Sequence, residues 1–148
     1  MRRTALVIAT CFITALALTV TSAGQTRDLD TIMKEIYSVW QTPGSGLGAR
    51  GAGLNAAVPN TAKIAADSTR LQALFAEAAA EFTRLKMPEP ASIAKSVADA
   101  ASALAKQAKT GKITDTKASL TSIGDQCKSC HDAYREPDNA GGFKLKGR

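Results

Sequence analysis

The chain has 148 residues, a formal charge of +6 and only 5% aromatic residues. That length allows one domain with a real core and is too short for two. The basic excess is scattered among few aromatics, which excludes a nucleic-acid footprint.

At the N-terminus, Arg2 and Arg3 precede an almost uncharged apolar run from Ala5 to Val20, and Thr21-Ser22-Ala23 places small residues at −3 and −1. This is the pattern of a cleaved secretory signal peptide over residues 1–23. The apolar run is short for a bilayer span, so no membrane insertion is expected after cleavage. Ile8-Ala9-Thr10-Cys11 is only a faint lipoprotein signal, because the apolar stretch before it is too short. Cleavage leaves a domain of residues 24–148, removes Cys11 and lowers the formal charge to about +4. Export to an oxidising compartment, the periplasm, follows.

Four helical patterns come next. The first spans about Arg27 to Trp40, with Leu29, Ile32, Met33, Ile36, Val39 and Trp40 on one apolar stripe. Asp28 and Asp30 suit the dipole of its first turn, and Pro43 with a run of glycines ends it. Gly46, Gly48 and Gly51 in that run match G-x-G-x-x-G literally. A dinucleotide site needs a strand before this motif, whereas a helix precedes it here, so the segment reads as a loop. The second helix runs from Asn60 or Thr61 to Lys86, with Ile64, Leu71, Leu74, Phe75, Ala78, Phe82 and Leu85 on one face. Asn60 and Thr61 are both good N-caps. Pro88 and Pro90 separate it from the third helix, about Pro90 to Lys109, whose face is Ile93, Val97, Ala101, Leu104 and Ala108; Gly111 is a fitting stop. The alanines of these two helices reflect helix propensity first, and room for a planar cofactor second. The fourth helix starts near Thr114 or Asp115 and carries Leu120, Ile123, Cys127, Cys130, His131 and Tyr134 before Pro137. The tail from Asp138 to Arg148 has no periodicity and is expected to be loose. No strands are evident. Four amphipathic helices with mostly short connections predict an all-α, antiparallel up-down-up-down four-helix bundle.

The chemistry is concentrated in Cys127-Lys128-Ser129-Cys130-His131. In an exported chain, Cys-x-x-Cys-His reads as a covalent haem c attachment site: the thiols add to the two vinyl groups, and the imidazole becomes the proximal iron ligand. On a helix the i, i+3 and i+4 spacing puts all three side chains on one face. A structural zinc site would need a second ligand pair that is missing. A thioredoxin-like motif would need a βαβ context, and a disulfide within one helix would constrain little. His131 is the only histidine.

For the other side of the iron, bundle topology brings the start of the first helix beside the end of the fourth. Met33 and His131 then lie about 9 Å from the same end at 1.5 Å per residue. A Met33 thioether there would give His/Met ligation and a raised potential, while a core-filling methionine is the bland alternative. Met87 shares that end of the bundle but precedes Pro88 and should lie below the haem level.

The run Cys127-Lys128-Ser129-Cys130-His131-Asp132-Ala133-Tyr134-Arg135, late in a signal-bearing four-helix chain, closely resembles the class II c-type cytochromes, that is, the cytochromes c′ and low-spin cytochrome c-556 proteins. In the low-spin members a Met-Lys pair on the first helix supplies the sixth ligand, and Met33-Lys34 is similar to it. The resemblance also implies that Arg135 lies near the proximal face, one turn beyond His131, though a cation at a helix end has a plain electrostatic role too. Tyr134 is expected against the porphyrin or the first helix. The family's arginine four residues before the distal position is Leu29 here, with Arg27 two residues away.

Two functions follow from the resemblance. The leading one is a periplasmic electron carrier served by a redox partner protein, with haem iron as the working centre and no enzymatic chemistry, since no catalytic constellation stands out. The other is a high-spin protein binding NO or CO at an open distal site. A homodimer through the first two helices is an option that the sequence leaves open. Lys128, Lys144 and Lys146 form either a docking patch or ordinary solvated charge.

Overall fold

The computed structural model describes residues 27–48, 60–111, 113–139 and 142–147. Residues 1–23, expected as a signal peptide, and Gly51 of the glycine motif lie outside the described residues. Among the described residues there are four helices: α1 (Leu29–Gln41), α2 (Thr61–Arg84), α3 (Pro88–Thr110) and α4 (Ile113–Tyr134). Two short strands, β1 (Arg135–Pro137) and β2 (Phe143–Leu145), close the chain as an antiparallel hairpin.

Helix α1 begins where Asp28 caps it, its carboxylate accepting from the Thr31 N–H at 2.9 Å. Such a cap is worth about 0.5–2 kcal/mol. Asp28 therefore stands before the first turn, and only Asp30 lies within it. Ile32 and Ile36, one turn apart, are the buried pair of the helix. After Gln41 the chain turns at Gly44, where φ is +73°. It then folds back, with Leu47 N donating to Val39 O at 3.2 Å and Gly48 N to Trp40 O at 2.8 Å. Leu47 is thereby buried beneath the end of α1. The approach is too close for side chains. A Cβ on Gly46 would sit 2.6 Å from the Trp40 carbonyl oxygen, and one on Gly48 would sit 2.5 Å from Trp40 Nε1. Two of the three motif glycines thus serve packing against Trp40.

Asn60 caps α2 through Lys63 N at 3.0 Å. The helix buries Ile64, Leu71, Leu74, Phe75, Ala78 and Phe82. It stops at Arg84, two residues before the expected Lys86, because Lys86 takes a left-handed φ of 58° and turns the chain. Helix α3 then begins at Pro88 instead of Pro90, with proline at its first position, where no N–H is needed. Buried alanines at 94, 98, 101, 105 and 108 let α3 lie close along α2, and this is the most extensive interface of the molecule. Much of the alanine content therefore serves helix packing. Gly111, at φ 72°, caps α3 by donating to Ala108 O at 3.3 Å.

The helices alternate in direction. Arg27 at the start of α1 reaches Glu77 on α2, while Arg70 earlier on α2 reaches Glu35 further along α1. Ser119 Oγ on α4 donates to Gln107 Oε1 at the end of α3 at 2.7 Å, and the Tyr134 hydroxyl donates to Glu89 at its start. The result is the up-down-up-down bundle that the periodicity predicts. One core runs through it, and Leu71, Leu74, Leu104, Leu120 and Ile123 are fully enclosed. Each such side chain contributes about 1.5–3 kcal/mol by leaving water. Helices α1 and α4 share no extended interface of their own.

The tail departs from expectation. Residues after Tyr134 leave the helix as β1 and pair with β2, Arg135 opposite Leu145 and Pro137 opposite Phe143. Pro137 therefore ends a strand rather than a helix. Among the described residues no helix is long and apolar enough to cross a membrane.

Candidate functional site

The site grows out of the core stripe of α4. Thr116, Leu120 and Ile123 are buried, and Cys127, Cys130 and Tyr134 continue the same three-and-four spacing as half-buried positions. Cys127 packs on the edge of the core. The stripe therefore loses cover as it nears the C-terminal end of the bundle. Both cysteines carry free thiols there, and His131, one turn on from Cys127, is exposed.

Burial pushes the Cys127 thiol up to about 11, with Cys130 adding to the effect, and burial raises Cys130 as well. Reactive CxxC pairs are lowered instead. His131 is held below its ordinary value, first by partial desolvation against the bundle and then by the Arg135 guanidinium, with Asp132 opposing. Neutral imidazole is the form that binds a metal. Arg135 Nη1 stands 3.4 Å from His131 Nδ1, which leaves Nε2 as the nitrogen turned away from that cation.

Two free thiols and a neutral imidazole on one face, at the uncovered end of a core stripe, are the donor set that a covalent haem requires. The residues present fit the group. Cys127 and Cys130 would carry the thioether links, and His131 would hold the iron. No group of three or more His, Cys, Asp or Glu side chains among the described residues is arranged to hold a bare metal ion.

Met33 is half-buried and packs on the core from α1. Its level relative to His131 follows from an approach of α1 to α4 at Gly124. Trp40 Cζ2 lies 3.4 Å from where a Cβ on Gly124 would be. Met33 is seven residues before Trp40, and His131 is seven residues after Gly124. Seven residues are two turns, so each residue returns to the face of its reference, about 10 Å along the axis. Because α1 and α4 run in opposite directions, the two displacements point the same way. Met33 and His131 thus share a level. Met87 is half-buried at the N-cap of α3. The Tyr134–Glu89 hydrogen bond sets the α3–α4 register, and by it Met87 lies about 7 Å beyond the level of His131.

Other expected neighbours turn elsewhere. The Tyr134 hydroxyl bonds Glu89 of α3. Arg27 is taken up by Glu35 and Glu77 on the α1–α2 side. Lys128 pairs with Asp132, Lys144 with Glu136 at 3.3 Å, and Lys146 Nζ donates to Asp132 O at 2.6 Å. These lysines are local ties and not a free cationic patch. The residue that sequence reasoning missed is Phe143, whose ring lies under Arg135 with 3.3 Å from the guanidinium carbon to the ring centroid.

Comparison with protein families gives a match over residues 30–135 to the family described as Cytochrome C′. Comparison with curated proteins and with solved structures gives no match.

Proposed function

Since the chain belongs to the cytochrome c′ family, a class of c-type cytochromes that bind one covalent haem c and are generally not enzymes, we propose that it is an electron carrier with His131 and Met33 as its axial pair. When bound, the haem supplies a one-electron ferric/ferrous couple. Cys127 and Cys130 anchor it, and the α4 core stripe fixes their spacing. Met33 would offer the iron a soft thioether sulfur, which favours the reduced state. The observation that supports this reading is the shared level of Met33 and His131, derived from the Trp40–Gly124 contact. Proteins of this family are typically periplasmic, which agrees with a signal peptide over residues 1–23, and a periplasmic redox protein is the partner that such a carrier needs.

The family description favours a second reading, an open distal site that takes up NO or CO. In that case Met33 is core filler. Optical spectra of the oxidised and reduced protein separate the two. Low-spin spectra in both states, with Met33→Leu converting the ferrous form to high-spin and CO-reactive, are expected for the carrier. A wild-type ferrous form that is already high-spin and binds CO readily overturns it in favour of the binder.

A further inference from the structure

The C-terminal hairpin extends past the family match, which ends at residue 135. It is tied down at both ends. Lys146 N donates to Tyr134 O at 2.9 Å and Lys146 Nζ to Asp132 O, while Gly142 N donates to Asp138 Oδ1 at 2.7 Å across the turn. In the ladder Phe143 faces Pro137, and Arg135 projects on the same side two residues earlier. A diagonal pair of this kind is within reach of a long and an aromatic side chain. The Phe143 ring accordingly lies against the Arg135 guanidinium while remaining 57% exposed itself.

Among the described residues no carboxylate is paired with that arginine. Its Nε is buried without a hydrogen-bond partner, and the acids on either side, Asp132 and Glu136, are paired with Lys128 and Lys144. Its Nη1 instead faces His131 Nδ1 at 3.4 Å. A metal-binding histidine ordinarily donates its second N–H to a carboxylate, carbonyl or water, which makes it a stronger ligand. A guanidinium has no acceptor to offer.

We infer that the C-terminal hairpin is a charge-positioning device in which Phe143 holds Arg135 over the outer nitrogen of His131 and thereby raises the reduction potential. This rests on the haem reading above. A fixed cation beside the ligand opposes the extra positive charge of the ferric state, and a guanidinium next to Nδ1 has no acceptor with which to strengthen the imidazole as a donor. Both favour the reduced form. Phe143 acts only through Arg135, as a positioning residue.

The test is an optically monitored redox titration of the full-length haem-loaded protein and its variants. Arg135→Gln should shift the ferric/ferrous equilibrium about tenfold toward ferric, which is 59 mV for one electron. Phe143→Ala should shift it about threefold in the same direction, because the freed side chain spends part of its time in solvent. Phe143→Tyr should restore the wild-type midpoint, and Phe143→Ala should add nothing in an Arg135→Gln background. If Arg135→Gln lowers the midpoint while Phe143→Ala leaves it unchanged, the positioning role is overturned and the haem reading stands. Midpoints unchanged in both variants overturn the inference entirely. Protein that carries no covalent haem overturns the underlying reading and the inference together.

Discussion

Gly124 is the position at which the α1–α4 register can be tested by stability. It sits inside α4, where glycine costs about 1 kcal/mol relative to alanine through backbone entropy. An added Cβ would meet Trp40 Cζ2 at 3.4 Å, an ordinary van der Waals contact, and no other atom of the described residues beyond its own helix within 4 Å. Gly124→Ala should therefore stabilise the protein by about 0.5–1 kcal/mol, raising Tm by roughly 2–6 °C. Gly124→Leu extends into the indole and must push α1 outward, at a cost of about 1–3 kcal/mol. Thermal unfolding of both variants is the assay, and opposite signs are the expected result. If alanine costs 1 kcal/mol or more, or leucine is neutral, the Trp40–Gly124 contact does not set the spacing, and the argument for Met33 falls with it. Spectra of Gly124→Leu should also show a reduced low-spin fraction, since the same wedge moves Met33 away from His131.

Gly46→Ala and Gly48→Ala should each destabilise by about 1–3 kcal/mol, because the new carbon would overlap Trp40, and thermal unfolding measures this directly. Glu35 is held below its ordinary value of 4.5 by hydrogen bonds from Arg70 and then Arg27. Its stabilising effect is therefore complete above that value and lost as pH falls through the depressed folded value. Glu35→Gln should flatten the fall in Tm below about pH 4.5; an unaltered slope would show that the α1–α2 ion pairs carry none of it. In the haem-free chain, iodoacetamide at pH 8 should label Cys127 far more slowly than a thiol in a short peptide, with the thiolate fraction reduced about a hundredfold. Equal labelling rates by mass spectrometry would contradict the buried position of its sulfur.

Strong local chemistry was legible in the chain. Asn60 and Gly111 marked helix ends because capping is decided within three or four residues. The Leu120–Ile123–Cys127–Cys130 stripe showed which face of α4 is turned inward. The hairpin was not legible, since three-residue strands are too short to show alternation and are held by long-range contacts: Phe143 on Arg135 and Lys146 on Asp132. The start of α3 was misplaced by two residues because prolines at 88 and 90 are both tolerated in a first turn. Residues 42–48 of the glycine segment form a turn as expected, but its reason, the indole of Trp40, lay in the tertiary structure. The fate of Arg27 and Tyr134 was equally hidden, since each chose a partner about 45–50 residues away.

The alanine-lined contact of α2 with α3 carries one more consequence. That pair forms a hairpin joined by the tight turn at Lys86, and it owns most of the apolar interior. The flank where α1 and α4 meet has a far smaller interface, with the indole of Trp40 against Gly124 part of it. Breathing of the protein should concentrate there, with amide exchange fastest in α1 and late α4 and slowest in the central pair.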